Sequence, residues 1–99
     1  MTNAEIYINI LAKKQAKIYL NSELIKAIKS RFPKGKVPKG SPEWFTIRGL
    51  QKEQAENIRS FNSTWERYQK IDPDAKEMLV AIGKVAKTKS YMALKIIGA

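Results

Sequence analysis

Apolar residues recur at helical spacing along most of the chain. Leu24, Ile25, Ile28 and Phe32 form one face, with Lys26, Lys29 and Arg31 left to solvent and Asn21 or Ser22 placed to cap the start. Trp44, Ile47, Ile58, Phe61, Trp65 and Tyr68 keep a spacing of three or four, interrupted across the polar stretch 51–54. One long helix or two fit that pattern. A break falls most naturally at Gly49, since Gly weakens a helix by about 1 kcal/mol relative to Ala, or at the capping box Ser63-Thr64-Trp65-Glu66. Ala75, Met78, Leu79, Ile82, Val85 and Ala86 share one face of a further helix. Tyr91, Met92, Leu94, Ile96 and Ile97 fit a last short helix starting at Thr88 or Lys89. The first twenty residues fit two periods. Tyr7, Ile10, Leu11 and Ile18 are spaced as on a helix, behind a Thr2-Asn3-Ala4-Glu5 capping box. Ile6-Tyr7-Ile8-Asn9-Ile10 and Ala16-Lys17-Ile18-Tyr19-Leu20 also alternate as a strand would.

The punctuation between these segments is sharper. Phe32 to Gly40 holds Pro33, Gly35, Pro38 and Gly40, which together exclude a continuous helix. Ser41-Pro42-Glu43 supplies a cap, a proline at the first helical position and a first-turn acid, three agreeing start signals. Asp72-Pro73-Asp74 repeats the cap-plus-proline signal. The expectation is an all-α fold, a small bundle of four or five helices with a basic Pro/Gly loop at 33–41, and a short strand before residue 21 as the open alternative. The chain reads as a single domain, 1–99, divided into an N-terminal helical segment 1–32, the basic loop 33–41 and a helical core 42–99.

Composition narrows the chemistry. The 99 residues carry 19 Lys plus Arg against 9 Asp plus Glu, a net charge of +10, with no Cys and no His. Disulfides, zinc fingers, thiol nucleophiles and imidazole bases are therefore excluded. The start lacks the basic flank of a secretory signal, and no apolar run approaches the roughly 18 residues of a membrane span. A soluble chain without a membrane span is expected, cytoplasmic or, if viral, in a virion. The charge excess sits in two acid-free tracts. Residues 24–42 hold Lys26, Lys29, Arg31, Lys34, Lys36 and Lys39, and residues 78–99 hold Lys84, Lys87, Lys89 and Lys95.

Clustered cations on a loop can neutralise phosphates without fixed geometry, whereas a merely solubilising surface intersperses its charges. The candidate nucleic-acid contacts are Lys26, Lys29, Arg31, Lys34, Lys36, Lys39, Lys84, Lys87 and Lys89. The last three also have a plain role near a predicted helix end, where cations complement the dipole. Trp44, Phe45, Phe61, Trp65 and Tyr68 could stack on bases, but aromatics at helical spacing are more often core anchors, and Phe61 and Trp65 are assigned there. Trp44 and Phe45 point about 100° apart on a helix, so one of them is a candidate for exposure. Asp72, Asp74 and Glu77, and Glu53 with Glu56, read as caps and surface ion pairs rather than metal ligands. With no glycine-rich phosphate motif and no Gly-x-Ser-x-Gly turn, neither enzymatic activity nor a cofactor or metal is expected.

Two resemblances attach to particular residues. Ser41-Pro42-Glu43-Trp44, Trp65, Asp72-Pro73-Asp74-Ala75-Lys76 and Ser90-Tyr91, over residues 33–97, loosely resemble HMG-box-like small basic helical proteins of phages and mobile elements. The resemblance implies sequence-tolerant DNA binding and bending, with the basic Pro-containing lead-in as the carried-over feature. Ala16-Lys17-Ile18-Tyr19-Leu20-Asn21-Ser22-Glu23-Leu24 is similar to the strand and first helix of ribbon-helix-helix repressors. That likeness implies an obligatory dimer with Lys17 and Tyr19 facing the major groove.

The functional expectation is non-enzymatic, sequence-tolerant nucleic-acid binding, to DNA rather than RNA, through phosphate contacts. One alternative is a viral or phage coat subunit packing helices around a genome, a homo-oligomer whose apolar tail, Leu94 to Ala99, makes subunit contacts. Another is a protein-binding inhibitor module with an acidic partner, and a basic amphipathic helix lying on anionic lipid is a further one.

Overall fold

The computed structural model describes residues 3–97, with backbone alone for Asn3, Tyr91, Met92 and residues 94–97. Three α-helices follow in order: α1 (Asn3–Lys29), α2 (Pro42–Ile71) and α3 (Leu79–Ile97). Short 3-10 turns at Pro33–Gly35 and Ala75–Met78 join them. The all-α expectation holds, and the expected four or five helices are three. Asn21 and Ser22 lie inside α1, Gly49 and Ser63 inside α2, and Lys89 inside α3, so the anticipated breaks do not occur. Thr2 of the expected N-terminal capping box lies outside the described residues.

The strand alternative before residue 21 is overturned, because α1 runs unbroken through it. The reason is packing on two sides. Leu11 and Ala12, adjacent in sequence and about 100° apart around a helix, are both fully buried. Residues of α1 face α2 through Tyr7, whose ring centroid is 5.6 Å from that of Tyr68, and through Ile18, whose carbonyl accepts from Gln54 Nε2 at 2.8 Å. Lys14 Nζ donates to Ser60 Oγ along the same side. These pairs run in opposite senses along the two helices, so α1 and α2 form an antiparallel hairpin. α3 packs against α1 as well, with Ile82, Ala86 and Ser90 as its buried stripe. A helix covered by two neighbours spreads its apolar residues round its circumference, which locally imitates the alternation of a strand.

α2 begins as its sequence signals: Ser41 Oγ accepts from the Trp44 amide at 3.2 Å, and Pro42 occupies the first turn. Its seam toward α1 passes through Ile47, Leu50, Gln54, Asn57, Phe61, Trp65 and Tyr68, steps of three or four. Burial of that seam offsets the cost of an internal Gly49. The middle of the seam is polar. Gln54 Oε1, Asn57 Nδ2 and, on α1, Asn21 Nδ2 are buried without a hydrogen-bond partner among the described residues. Each costs about 1–3 kcal/mol, and a polar layer of this kind penalises alternative registers of the hairpin.

Asp72 was expected to cap the start of a helix; instead it closes the end of α2. Its amide donates to the Tyr68 carbonyl, its Oδ2 accepts from the Tyr68 hydroxyl at 2.7 Å, and its Oδ1 accepts from the Asp74 amide at 2.9 Å. This corner drops the chain into the Ala75–Met78 turn and on into α3. The core gathers there: Leu11, Ala12, Tyr68, Ala75 and Ile82, wrapped by Tyr7, Ile8, Phe61, Trp65 and Met78. The assignment of Phe61 and Trp65 to the core is thus met.

Tyr68 carries a pH signature. Burial, then the hydrogen bond to Asp72, then the negative charge of Asp72 and Asp74 push its phenol up from 10 to about 12. A raised acid favours its protonated form in the fold, so this stabilisation is complete below pH 10 and is lost as pH rises through about 12. Two units correspond to about 2–3 kcal/mol. Urea denaturation at several pH values between 8 and 12 should therefore show a fall in stability that Tyr68→Phe, which keeps the ring without the phenol, lacks.

The molecule is long and thin. Its extents are 47 × 24 × 19 Å and its radius of gyration is 15.9 Å, against about 13 Å for a compact chain of this length. The longest dimension is that of α2, whose 30 residues span about 45 Å. No helix among the described residues is long and apolar enough to cross a membrane.

Candidate nucleic-acid interface

The antiparallel hairpin decides where the charges go. Residues 30–41 sit at one end of the molecule, and the start of α1, the Asp72 corner and the start of α3 sit at the other. The loop is a chain of tight turns rather than a slack tether. Amides of Phe32, Gly35, Lys36 and Ser41 donate to the carbonyls of Lys29, Phe32, Pro33 and Pro38 at 3.1–3.2 Å. Lys34 (φ 57°) and Gly35 (φ 68°) are successive left-handed residues that reverse the chain at the tip. For Lys34 that conformation costs about 1–2 kcal/mol, which the surrounding turns must offset.

Of the nine residues proposed from sequence, six come together at this end. Lys29, Arg31, Lys34, Lys36 and Lys39 are exposed, with no carboxylate within 4.0 Å among the described residues. Lys26, one turn earlier on α1, pairs with Glu23 at 3.5 Å, both side chains being largely in solvent. Such an exposed pair contributes at most about 1 kcal/mol and leaves the lysine available to a stronger anion.

The three α3 residues are placed apart. Lys87 and Lys89 fall on opposite flanks of the buried Ile82-Ala86-Ser90 stripe, and Lys84 points outward from it. Lys84 and Lys87, three residues apart, share a side of α3 that Lys89 does not, and all three lie on the helix that starts at the far end.

Two cations that the sequence reading passed over join the loop. Arg48 and Lys52 are exposed on the first turns of α2, and Arg59 continues their line. Residues 43–77 are nearly balanced in charge when counted along the chain, which hid them. On the helix, spacings of four and seven keep these three on one side and turn Glu53 about 100° or more away, while Glu56, four residues from Lys52 and three from Arg59, stays beside those two. Helical spacing applied to the charges, as it was to the apolar residues, would have found them.

Between loop and helix lies a cleft of about 240 Å³ lined by Lys29, Gly35, Val37, Trp44, Ile47, Arg48 and Gln51. The Arg48 guanidinium stands 4.8 Å from the centre of the Trp44 ring. Trp44 is half-buried, and Phe45 meets it edge-on, centroids 5.0 Å apart and planes at 82°, while remaining 61% exposed. The expected split between the two aromatics is thereby resolved in favour of Phe45 as the exposed one.

The opposite end has a different character. Glu5, Glu66, Asp72, Asp74 and Glu77 outnumber Arg67, Lys70 and Lys76 there. Among the described residues no group of three or more carboxylates is arranged to hold a metal ion. The molecule is polarised, strongly basic at the loop and mildly acidic at the corner. No protein-family model, curated protein or solved structure matches this chain.

Proposed function

We propose that this chain is a non-enzymatic nucleic-acid-binding protein that grips the phosphate backbone with the loop end of its α1–α2 hairpin. The observation that carries the reading is the convergence of Lys29, Arg31, Lys34, Lys36 and Lys39 with Arg48 and Lys52 on one end of a polarised rod. Charges of one sign held close together without internal partners repel one another, and an anionic ligand relieves that repulsion. Lysines dominate the set, and a lysine ammonium is a point charge that meets phosphate without demanding a particular base. The binding is accordingly tolerant of sequence. Lys84 and Lys87 on α3 offer a separate contact to a second segment of the same backbone.

The test is fluorescence anisotropy of a labelled mixed-sequence duplex between roughly 50 and 200 mM salt, where six phosphate contacts should cost about a thousandfold in affinity. Absence of binding at the lower salt would overturn the reading and turn attention to an acidic protein partner.

A second reading, a subunit of a nucleoprotein assembly such as a coat, is favoured by the far end. Ile6, Ile10, Ile71, Leu79 and Val80 are exposed there, apolar and distant from the basic loop. Sedimentation of the free chain over a range of concentrations tests it: growth in mass supports the assembly, a constant monomer mass excludes it.

A further inference from the structure

The phosphate-binding reading leaves the cleft and the exposed Phe45, which meets the cleft's Trp44 edge-on, unexplained, since phosphate needs neither. Resting on that reading, we infer that the cleft between the loop and α2 receives one unpaired nucleotide, so that the basic end favours single-stranded over double-stranded nucleic acid. Three features point the same way. Phe45 is 61% exposed, and its one described ring contact is Trp44, so a ring that an isolated domain gains nothing by exposing is offered to solvent beside the densest positive charge. An aromatic face set among cations is how sequence-tolerant single-strand binders hold bases, because every base has a π-face. Duplex DNA keeps those faces stacked inside.

The cleft has the matching chemistry. Val37, Ile47 and Trp44 supply apolar wall, Gln51 supplies an amide that can both donate to and accept from a base edge, and Lys29 and Arg48 stand at the rim for the phosphate. Its 240 Å³ lies below the roughly 300–1,000 Å³ of sites for larger small molecules, and suits a single base. Gly35 contributes a wall without a side chain, and its left-handed φ of 68° disfavours any replacement. In this arrangement one base enters the cleft, its neighbour stacks on Phe45, and Lys34, Lys36 and Lys39 follow the backbone. Ribose and deoxyribose strands share this chemistry.

The experiment compares oligodeoxythymidylate, oligouridylate and a mixed-sequence duplex of the same length, at matched salt concentrations between roughly 50 and 200 mM, on the wild-type chain and on Phe45→Ala. The wild type should bind both single strands more tightly than the duplex. Phe45→Ala should weaken single-strand binding about tenfold to a hundredfold, as expected for one lost stack, and leave duplex binding within about twofold. Phe45 is exposed, so the variant keeps its fold, which circular dichroism verifies. If the duplex binds with steep salt dependence but Phe45→Ala changes nothing, or lowers both equally, the nucleotide site is overturned and phosphate binding stands. If no nucleic acid binds the wild type, both readings fall together. As a second readout, photo-crosslinking of a bromouridine-substituted strand should place the adduct on Trp44 or Phe45, and an adduct confined to α3 would contradict the inference.

Discussion

Replacing Lys34, Lys36 and Lys39 with Gln should lower the slope of log affinity against log salt by about 3, at roughly 0.9 per phosphate contact. At about 0.1 M salt the same change should cost two to three orders of magnitude in affinity for any duplex, whatever its sequence. The structure makes this a clean test of charge. The three side chains are exposed and touch no carboxylate among the described residues, and the turns that shape the loop are held by backbone amides, which Gln retains. Gln at position 34 meets the same left-handed backbone cost as Lys, so stability should not move. A thermal melt of the triple variant checks that point, and anisotropy across the salt range measures the slope. An unchanged slope would take the site away from the loop and leave Lys84 and Lys87 on α3 to be tested next.

Ile82→Ala should destabilise the fold by about 2–5 kcal/mol, the usual range for truncating a large aliphatic side chain in a core. The magnitude follows from how α3 is attached. Among its described side chains the buried stripe is Ile82, Ala86 and Ser90, of which Ile82 alone brings a large apolar side chain, fully buried against the Leu11, Ala12, Tyr68 and Ala75 cluster. Ser90 spends its hydroxyl on the Lys87 carbonyl of its own helix at 2.9 Å. A small domain has only about 5–15 kcal/mol in total, and each kcal/mol is worth about 4–8 °C at this size. A fall in Tm of at least about 10 °C is expected, with amide exchange of α3 accelerated before that of the α1–α2 hairpin. Val80→Ala, one helical step from the same corner but 67% exposed, should stay within about 0.5 kcal/mol. Equal losses at the two positions would mean that α3 is not held by this stripe.

Element boundaries were legible wherever local chemistry alone sets them. Ser41-Pro42-Glu43 starts α2 because a hydroxyl, a missing amide and a first-turn acid each satisfy that end without help from the rest of the fold. The loop at 33–41 is set by its prolines and glycines in the same way. Breaks expected from weaker signals did not materialise. Gly49 and the Ser63 capping box lie inside α2, since burial of a seam from Ile47 to Tyr68 outweighs about 1 kcal/mol of propensity. Asn21 likewise stays inside α1, buried at 5% exposure in spite of its unpartnered amide.

The candidate site divides along the same line. Lys29, Arg31, Lys34, Lys36 and Lys39 were recognisable because they are close in sequence and acid-free. Arg48 and Lys52 were not, because Glu53 and Glu56 cancel them in a linear count, although the turn of the helix carries Glu53 away from both and Glu56 away from Arg48. Lys84, Lys87 and Lys89 looked like one tract, and the same rotation sets Lys89 apart from Lys84 and Lys87.

By itself the sequence determined the helical character, the basic loop between two long apolar patterns, the membership of Phe61, Trp65 and Tyr68 in one seam, and the excess of positive charge. Each rests on residues within a few positions of one another, where propensity, capping and proline chemistry act. The tertiary structure decided that the N-terminal stretch is helix rather than strand and that three helices are enough. It also decided that Arg48 stands beside the loop, that Phe45 rather than Trp44 is the exposed ring, and that a cleft opens between Gly35 and Trp44. All of these depend on which faces of α1 are covered and on the antiparallel pairing of α1 with α2, contacts between residues tens of positions apart whose energies no local pattern contains.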